Sequence, residues 1–387
     1  MAKILYESGN HLQLLHTGED FFPAMLDSIK EAQQEIYLET YIFSGDDSAR
    51  EIANALMQAA ARGVQVQVII DWVGTGDEQC QRWVHEFQQH GVGCRVFNAW
   101  FKRGLTRTHR KLCVIDRELA FIGGINVIDD FLSDHDSSIE LPFPRWDFAV
   151  KLLGPCAISL HKEITAQWLK LGKMPLINRL LLARELRRPP KAQQGQGQSA
   201  AIVFRDNLRH RFSIQRAYLR ALGKAKQSAY FANPYFAPGR RLRNGLINAA
   251  KRGVDVRILL GVGEFELQDL VAQSYYPQLL KHGIKIYEYH RTHMHAKVAV
   301  IDGAWSTVGS SNFDGLSLFL NHEANILIQD VSFSAELQEH MCQGFADAVE
   351  VEVQHVERQP WYTRFKHRLA YSFYRWALRL ATLGQYR

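Results

Sequence analysis

Apolar residues recur along the first part of the chain in two alternating rhythms. In PAMLDSIKEAQQ (23–34), Met25, Leu26, Ile29 and Ala32 fall at helical spacing, and SAREIANALMQAAARG (48–63) keeps that rhythm until a terminal glycine. Between and after them, IYLETYIF (36–43) is strand-like and VQVQVIID (64–71) reads as a buried strand with period-two character. The pattern predicts helix, strand, helix, strand, helix, strand, with the helices covering a mixed or mostly parallel sheet.

The same order then returns. AAARGVQVQVIID (59–71) is matched by AAKRGVDVRILLG (249–261), FQQHGVGCRVF (87–97) by LLKHGIKIYEY (279–289), and AQQEIYLETYIF (32–43) by AKQSAYFANPYF (225–236). Such ordered self-similarity is the mark of a duplicated domain. The expected fold class is therefore α/β, two duplicated α/β sandwich domains. The first is placed at 1–175 and the second at 201–357. Between them, 176–200 holds an amphipathic segment (Leu176, Ile177, Leu180, Leu181 and Leu182 beside Arg179, Arg184, Arg187 and Arg188) and the Pro-, Gln- and Gly-rich linker RRPPKAQQGQGQS. The amphipathic segment fits either a helix on the core or an interfacial membrane helix.

A chain of 387 residues with 22% charged and 47% hydrophobic positions is globular, which excludes disorder, collagen-like repeats and coiled coil for the whole. Five widely spaced cysteines without a CxxC argue against a disulfide framework or a zinc ribbon and suit a reducing compartment. The first residues lack the apolar core of a signal peptide, and no run reaches the roughly 18 apolar residues of a spanning helix. Charge is uneven. Residues 358–387 carry seven Lys and Arg and no acid, so with a net charge of +6 overall the rest of the chain sums to −1. That tail interleaves its basic residues with Trp361, Tyr362, Phe365, Phe373, Tyr374 and Trp376. A helix packed on the core, non-specific nucleic-acid binding, and an interfacial helix on anionic lipid all accommodate it.

The sharpest signal is a chemical motif present twice. HRKLCVIDRELAFIGGIN holds His109, Lys111, Asp116, Gly123 and Asn126; HAKVAVIDGAWSTVGSSN holds His295, Lys297, Asp302, Gly309, Ser310 and Asn312 at the same internal spacing. His-x-Lys at the start of a strand puts an imidazole and an ammonium on one face, where they converge on an anionic group. Asp116 and Asp302 fall at a predicted hairpin turn, so they are expected to organise the motif rather than attack substrate. Asn126, Asn312 and Ser310 are candidate donors to phosphate oxygens. His290, His293 and His295 also suggest a metal site, a reading that leaves the duplicated Lys and Asn unexplained.

These residues resemble the HxKxxxxD motif of the phospholipase D superfamily, over nearly the whole chain. Within it, GEDFFPAMLDSIKEAQQEIYLETYIF, AAARGVQVQVIID, GGIN and VGSSNFD look like the bacterial cardiolipin synthases, of the B type. The resemblance implies one active site at a pseudo-two-fold interface, a phosphohistidine intermediate, and no metal or other cofactor. By analogy His109 is the nucleophile and His295 the general acid/base, with near-symmetry leaving the reverse open; Lys111 and Lys297 clamp phosphoryl oxygens. Asp147 and Glu323 are the matching candidates for the carboxylates that orient the histidines. The implied partners are anionic phospholipid, phosphatidylglycerol above all, and a membrane surface, met peripherally on the cytoplasmic face of a bacterial cell, with no nucleic acid. A phospholipase D-type hydrolase or nuclease would use the same residues.

Overall fold

The structure, a computed structural model, describes residues 4–134, 138–172, 196–207 and 210–381. The amphipathic segment expected before the linker lies outside the described residues.

The first half contributes β1 (Glu7–His16), β2 (Glu35–Thr40), β3 (Gln65–Asp71), β4 (Gly93–Phe97), the short β5 (Lys102–Leu105), β6 (Leu112–Ile115), β7 (Leu119–Gly123) and β8 (Phe148–Leu153). The second contributes β9 (Gln198–Arg205), β10 (Ser228–Asn233), β11 (Asp255–Gly261), β12 (Lys285–Tyr289), β13 (Val298–Ile301), β14 (Trp305–Gly309), β15 (Glu323–Gln329) and β16 (Val349–Glu350). One 15-stranded sheet runs β16-β12-β11-β10-β13-β14-β15-β9-β1-β8-β7-β6-β2-β3-β4. Outward from the antiparallel β1–β9 seam, the two halves repeat the same order, so the duplication is a pseudo-two-fold about that seam. Among the described strands of the sheet, parallel neighbours are β2-β3-β4 and β10-β11-β12, the strands whose helical crossovers the hydrophobic rhythm predicts. The seam strands are less legible in the sequence. In β1 (ESGNHLQLLH) polar residues break the pattern, because Asn10 is buried and its amide bonds the carbonyls of Glu7 and Gln198.

Alternation along the strands feeds both faces of the sheet. In β2, Ile36 and Leu38 enter the core of the first half with Ile52, Leu56 and Trp83, while Tyr37 faces a core shared by both halves. Helix Pro155–Leu171 and helix Val331–Ala346 supply that shared core with Leu160, Ile164, Leu337 and Met341. The second half has its own core around Phe231, Leu246 and Ile258.

Helix Trp361–Ala381 packs on the second half through His367, Ala370 and Leu378, and the Tyr374 hydroxyl accepts the Gly315 N–H at 2.9 Å. Its outer side exposes Trp361, Phe365, Leu369, Phe373, Trp376 and Leu380 at helical spacing. No helix among the described residues is long and apolar enough to cross a membrane.

Candidate active site

Both motifs sit where a hairpin begins at the centre of its half. At the far turn of each hairpin the chain enters left-handed backbone: Asp116 and Arg117 (φ 51° and 64°) in the first half, Asp302 and Gly303 (53° and 61°) in the second. The Asp116 carboxylate accepts the N–H groups of Gln33, Gln34 and Glu35; Asp302 accepts those of Lys226, Gln227 and Ser228. Each aspartate thus ties the hairpin to the start of β2 or β10, at the opposite end of the strand from the histidine. Burial pushes Asp302 up, and its three N–H bonds outweigh this and hold it below the usual carboxylate range.

The histidines meet across the seam. The rings of His109 and His295 lie 6.4 Å apart at 72°, both buried. His109 Nδ1 lies 2.9 Å from the Ser310 carbonyl and 3.2 Å from Glu323 Oε2, while His295 Nδ1 lies 2.7 Å from Asp147 Oδ2. Each imidazole is therefore backed by the other half's carboxylate, and neither half holds a complete site. A carbonyl oxygen only accepts, so His109 carries its hydrogen on Nδ1 and presents a lone pair at Nε2.

Lys111 Nζ donates to the His109 carbonyl at 2.8 Å, and Lys297 Nζ makes the equivalent bond to the His295 carbonyl. Burial and repulsion from Lys297 push Lys111 down to about 7; burial pushes Lys297 down to about 8 against the pull of Asp147. Burial with Lys111 brings His109 down to about 4, and burial with Lys297 and Lys111 takes His295 well below its ordinary value. Burial pushes Asp147 up to about 7, whereas at Glu323 burial is outweighed by His109 and the carboxyl is held low. Neutral imidazoles between two buried lysines are an arrangement that, with the lysines charged, can receive one anionic group.

One expected phosphate donor is placed differently. The Ser310 hydroxyl bonds Glu323 Oε2 and accepts the Ala324 N–H, so its side chain is committed to the orienting carboxylate and not to a ligand. Asn126 gives its oxygen to the Ile42 N–H, leaving its amide NH2 as the donor end, and Asn312 Oδ1 is buried without a partner among the described residues. At the position equivalent to Ser310 stands Gly124, where a Cβ would collide with the Asp147 carboxylate.

Two contributors to the site escape the sequence pattern. Tyr41 meets His109 edge-on at 4.9 Å and lies 5.3 Å from Lys111 Nζ. Asp134, held by Arg145 at 2.8 Å, lies 3.9 Å from His295 Nε2. The repeat aligns Tyr41 with Pro234, and Asp134 opens the extra stretch DHDSSIELPFPR of the first half. An internal repeat cannot flag what only one half carries.

A model of the cardiolipin synthase, phospholipase D-like domain matches residues 25–138 and 218–344. The chain belongs to the cardiolipin synthase family of phospholipase D-like proteins. Relatives within that cardiolipin synthase family include cardiolipin synthase B of Salmonella typhimurium, 37% identical over 96% of this chain and 89% of the relative. Cardiolipin synthase B of Escherichia coli is 36% identical over 96% of this chain and 90% of its own. Among solved structures, phosphatidylserine synthase of Haemophilus influenzae superposes with a TM-score of 0.74 over 98% of this chain and 97% of its own, at 14% identity, so the fold is shared.

Proposed function

We propose that this chain transfers a phosphatidyl group from one phosphatidylglycerol to the headgroup hydroxyl of a second, giving cardiolipin and glycerol. The observation that carries the mechanism is the Nδ1 of His109 on the Ser310 carbonyl, which leaves Nε2 as a lone-pair nucleophile. His109 Nε2 attacks phosphorus as the P–O bond to the departing glycerol breaks, and His295 supplies that alkoxide's proton. A second phosphatidylglycerol hydroxyl then gives its proton to His295 while its oxygen attacks phosphorus and releases His109. Lys111 and Lys297 neutralise the phosphoryl oxygens throughout.

Asp147 fits the acid/base role of His295. A carboxyl at about 7 exchanges a proton with Nδ1 at little cost, so His295 can gain and lose one at Nε2. Glu323, held low, keeps His109 in one tautomer and stabilises the phosphohistidine.

The substrate's bilayer is met peripherally in this reading. The exposed apolar stripe of helix Trp361–Ala381 is flanked by exposed Arg364, Lys366, Arg368 and Arg379, a combination suited to an anionic lipid surface.

The test is incubation of headgroup-labelled phosphatidylglycerol liposomes with the protein in chelator, beside His109→Ala and His295→Ala. Cardiolipin and free glycerol, absent in both variants, is the expected result. Phosphatidic acid alone would make the protein a hydrolase and overturn the reading.

A further inference from the structure

Twelve positions separate Phe97, the end of β4, from His109, whereas six separate Tyr289, the end of β12, from His295. The extra residues of the first half form a loop that is closed at its neck. The buried Asn98 amide donates to the carbonyls of Gly104 (2.8 Å) and Thr106 (2.6 Å). Below the neck, the Thr108 N–H is anchored on Asp71 Oδ2 at 2.7 Å, one residue before His109.

Above the neck the loop exposes apolar surface. Trp100 is 64% exposed, Leu105 53% and Phe101 45%, and Trp72 stands beside the two rings with centroids 5.3 and 5.1 Å away. Asn98, Trp100 and Phe101 all adopt left-handed backbone (φ 56°, 56° and 52°), a conformation disfavoured for residues with a Cβ. Within the folded chain the two rings gain the contact with Trp72, yet the strained backbone keeps much of their apolar surface in solvent. The loop and the residue that follows it hold Lys102, Arg103 and Arg107 and no acid, and Lys102 is exposed. Exposed rings on a closed, basic loop are complementary to the interface of an anionic bilayer.

We propose that the 98–106 loop is a docking wedge that inserts Trp100, Phe101 and Leu105 into an anionic phospholipid bilayer and seats His109 against the headgroup layer. This rests on the reading that the substrate is a bilayer lipid, and it assigns the first half a membrane contact separate from the C-terminal helix.

The full-length Trp100→Ser/Phe101→Ser variant tests it. Sedimentation with phosphatidylglycerol vesicles and turnover of vesicle substrate should fall about ten-fold or more, while turnover of dispersed short-chain phosphatidylglycerol stays within about two-fold. Lys102→Glu should weaken binding to the same vesicles without touching the rings. Unchanged vesicle binding and turnover in the double variant, or equal loss on dispersed and vesicle substrate, overturns the wedge. Loss of self-association with vesicle binding intact identifies a second copy of the chain as the occupant and also overturns it. Were the wild-type protein to turn over neither lipid form, the functional reading would fall, and vesicle sedimentation would still decide the wedge.

Discussion

The two halves place a histidine, a lysine, an asparagine and a carboxylate in matching positions, yet they solve the problem behind the imidazole differently. In the first half a short Asp147 reaches from the start of β8 and Gly124 makes room for it. In the second a longer Glu323 reaches from β15, and Ser310 occupies the glycine's place and bonds the carboxylate. Asp with Gly and Glu with Ser are compensated pairs. They do not have the same electrostatic outcome. Burial raises Asp147 to about 7 against the pull of Lys297 and the Phe148 N–H, while at Glu323 the pull of His109 and the Ser310 hydroxyl outweighs burial and holds it low. Duplication gave two half-sites of the same shape, and in the proposed mechanism the difference at two paired positions divides their labour.

The strongest way to break this comparison is to ask which histidine carries the phosphoryl group. His109→Ala and His295→Ala should each lower cardiolipin formation by about a thousand-fold or more. With a nitrophenyl phosphatidyl ester, whose leaving group needs no proton, His295→Ala should still accumulate a lipid-labelled protein and His109→Ala should not. The opposite pattern would exchange the two roles.

The carboxylates should come next. Asp147→Asn is expected to cost more than Glu323→Gln, the latter about 10–100-fold, because the Ser310 carbonyl still holds the His109 tautomer when Glu323 is lost. Steady-state rates of the two variants, compared at one pH, check the ranking. Equal losses would mean that the halves do not differ in the way proposed.

A milder effect comes from the lysines. With Lys111 at about 7 and Lys297 at about 8, both are ammonium groups below those values and lose charge as pH rises through them, Lys111 first. Affinity for the phosphodiester should therefore be highest below pH 7 and decline in two steps above it. Lys111→Arg retains its charge and should move the alkaline limb of kcat/KM up by about one unit or more if the fork is accommodated.

Much of this division is legible in the amino-acid sequence because the chain repeats itself. Spacing alone identifies both His-x-Lys pairs, the aspartates as turn organisers and the domain duplication, since each of those features is local and occurs twice. Spacing does not show that Glu323 backs His109 and Asp147 backs His295, because the exchange depends on how β15 and β8 meet across the β1–β9 seam. Ser310 reads as a phosphate donor for the same reason: its hydroxyl is claimed by Glu323, thirteen residues away in the chain. Asp134 and the 98–106 loop belong to one half alone, so no internal comparison points to them.

The smallest expected effect falls on the two hairpin aspartates. Asp116 and Asp302 each collect three backbone N–H groups, as a helix N-cap does, far from the histidines. Asp302→Ala should cost about 1–2 kcal/mol of stability, read as a lower denaturant midpoint, and leave the pH profile of turnover in place. The sign with pH follows from its lowered folded value: its contribution is present above the ordinary carboxylate range and is lost as acid takes the pH through the folded value. Wild type and Asp302→Ala should therefore approach one another in stability as the pH falls below the ordinary carboxylate range. If Asp302→Ala instead abolished turnover in a protein whose denaturant midpoint was unchanged, the aspartate would be acting on the chemistry, and the division between hairpin turn and reacting end would be wrong.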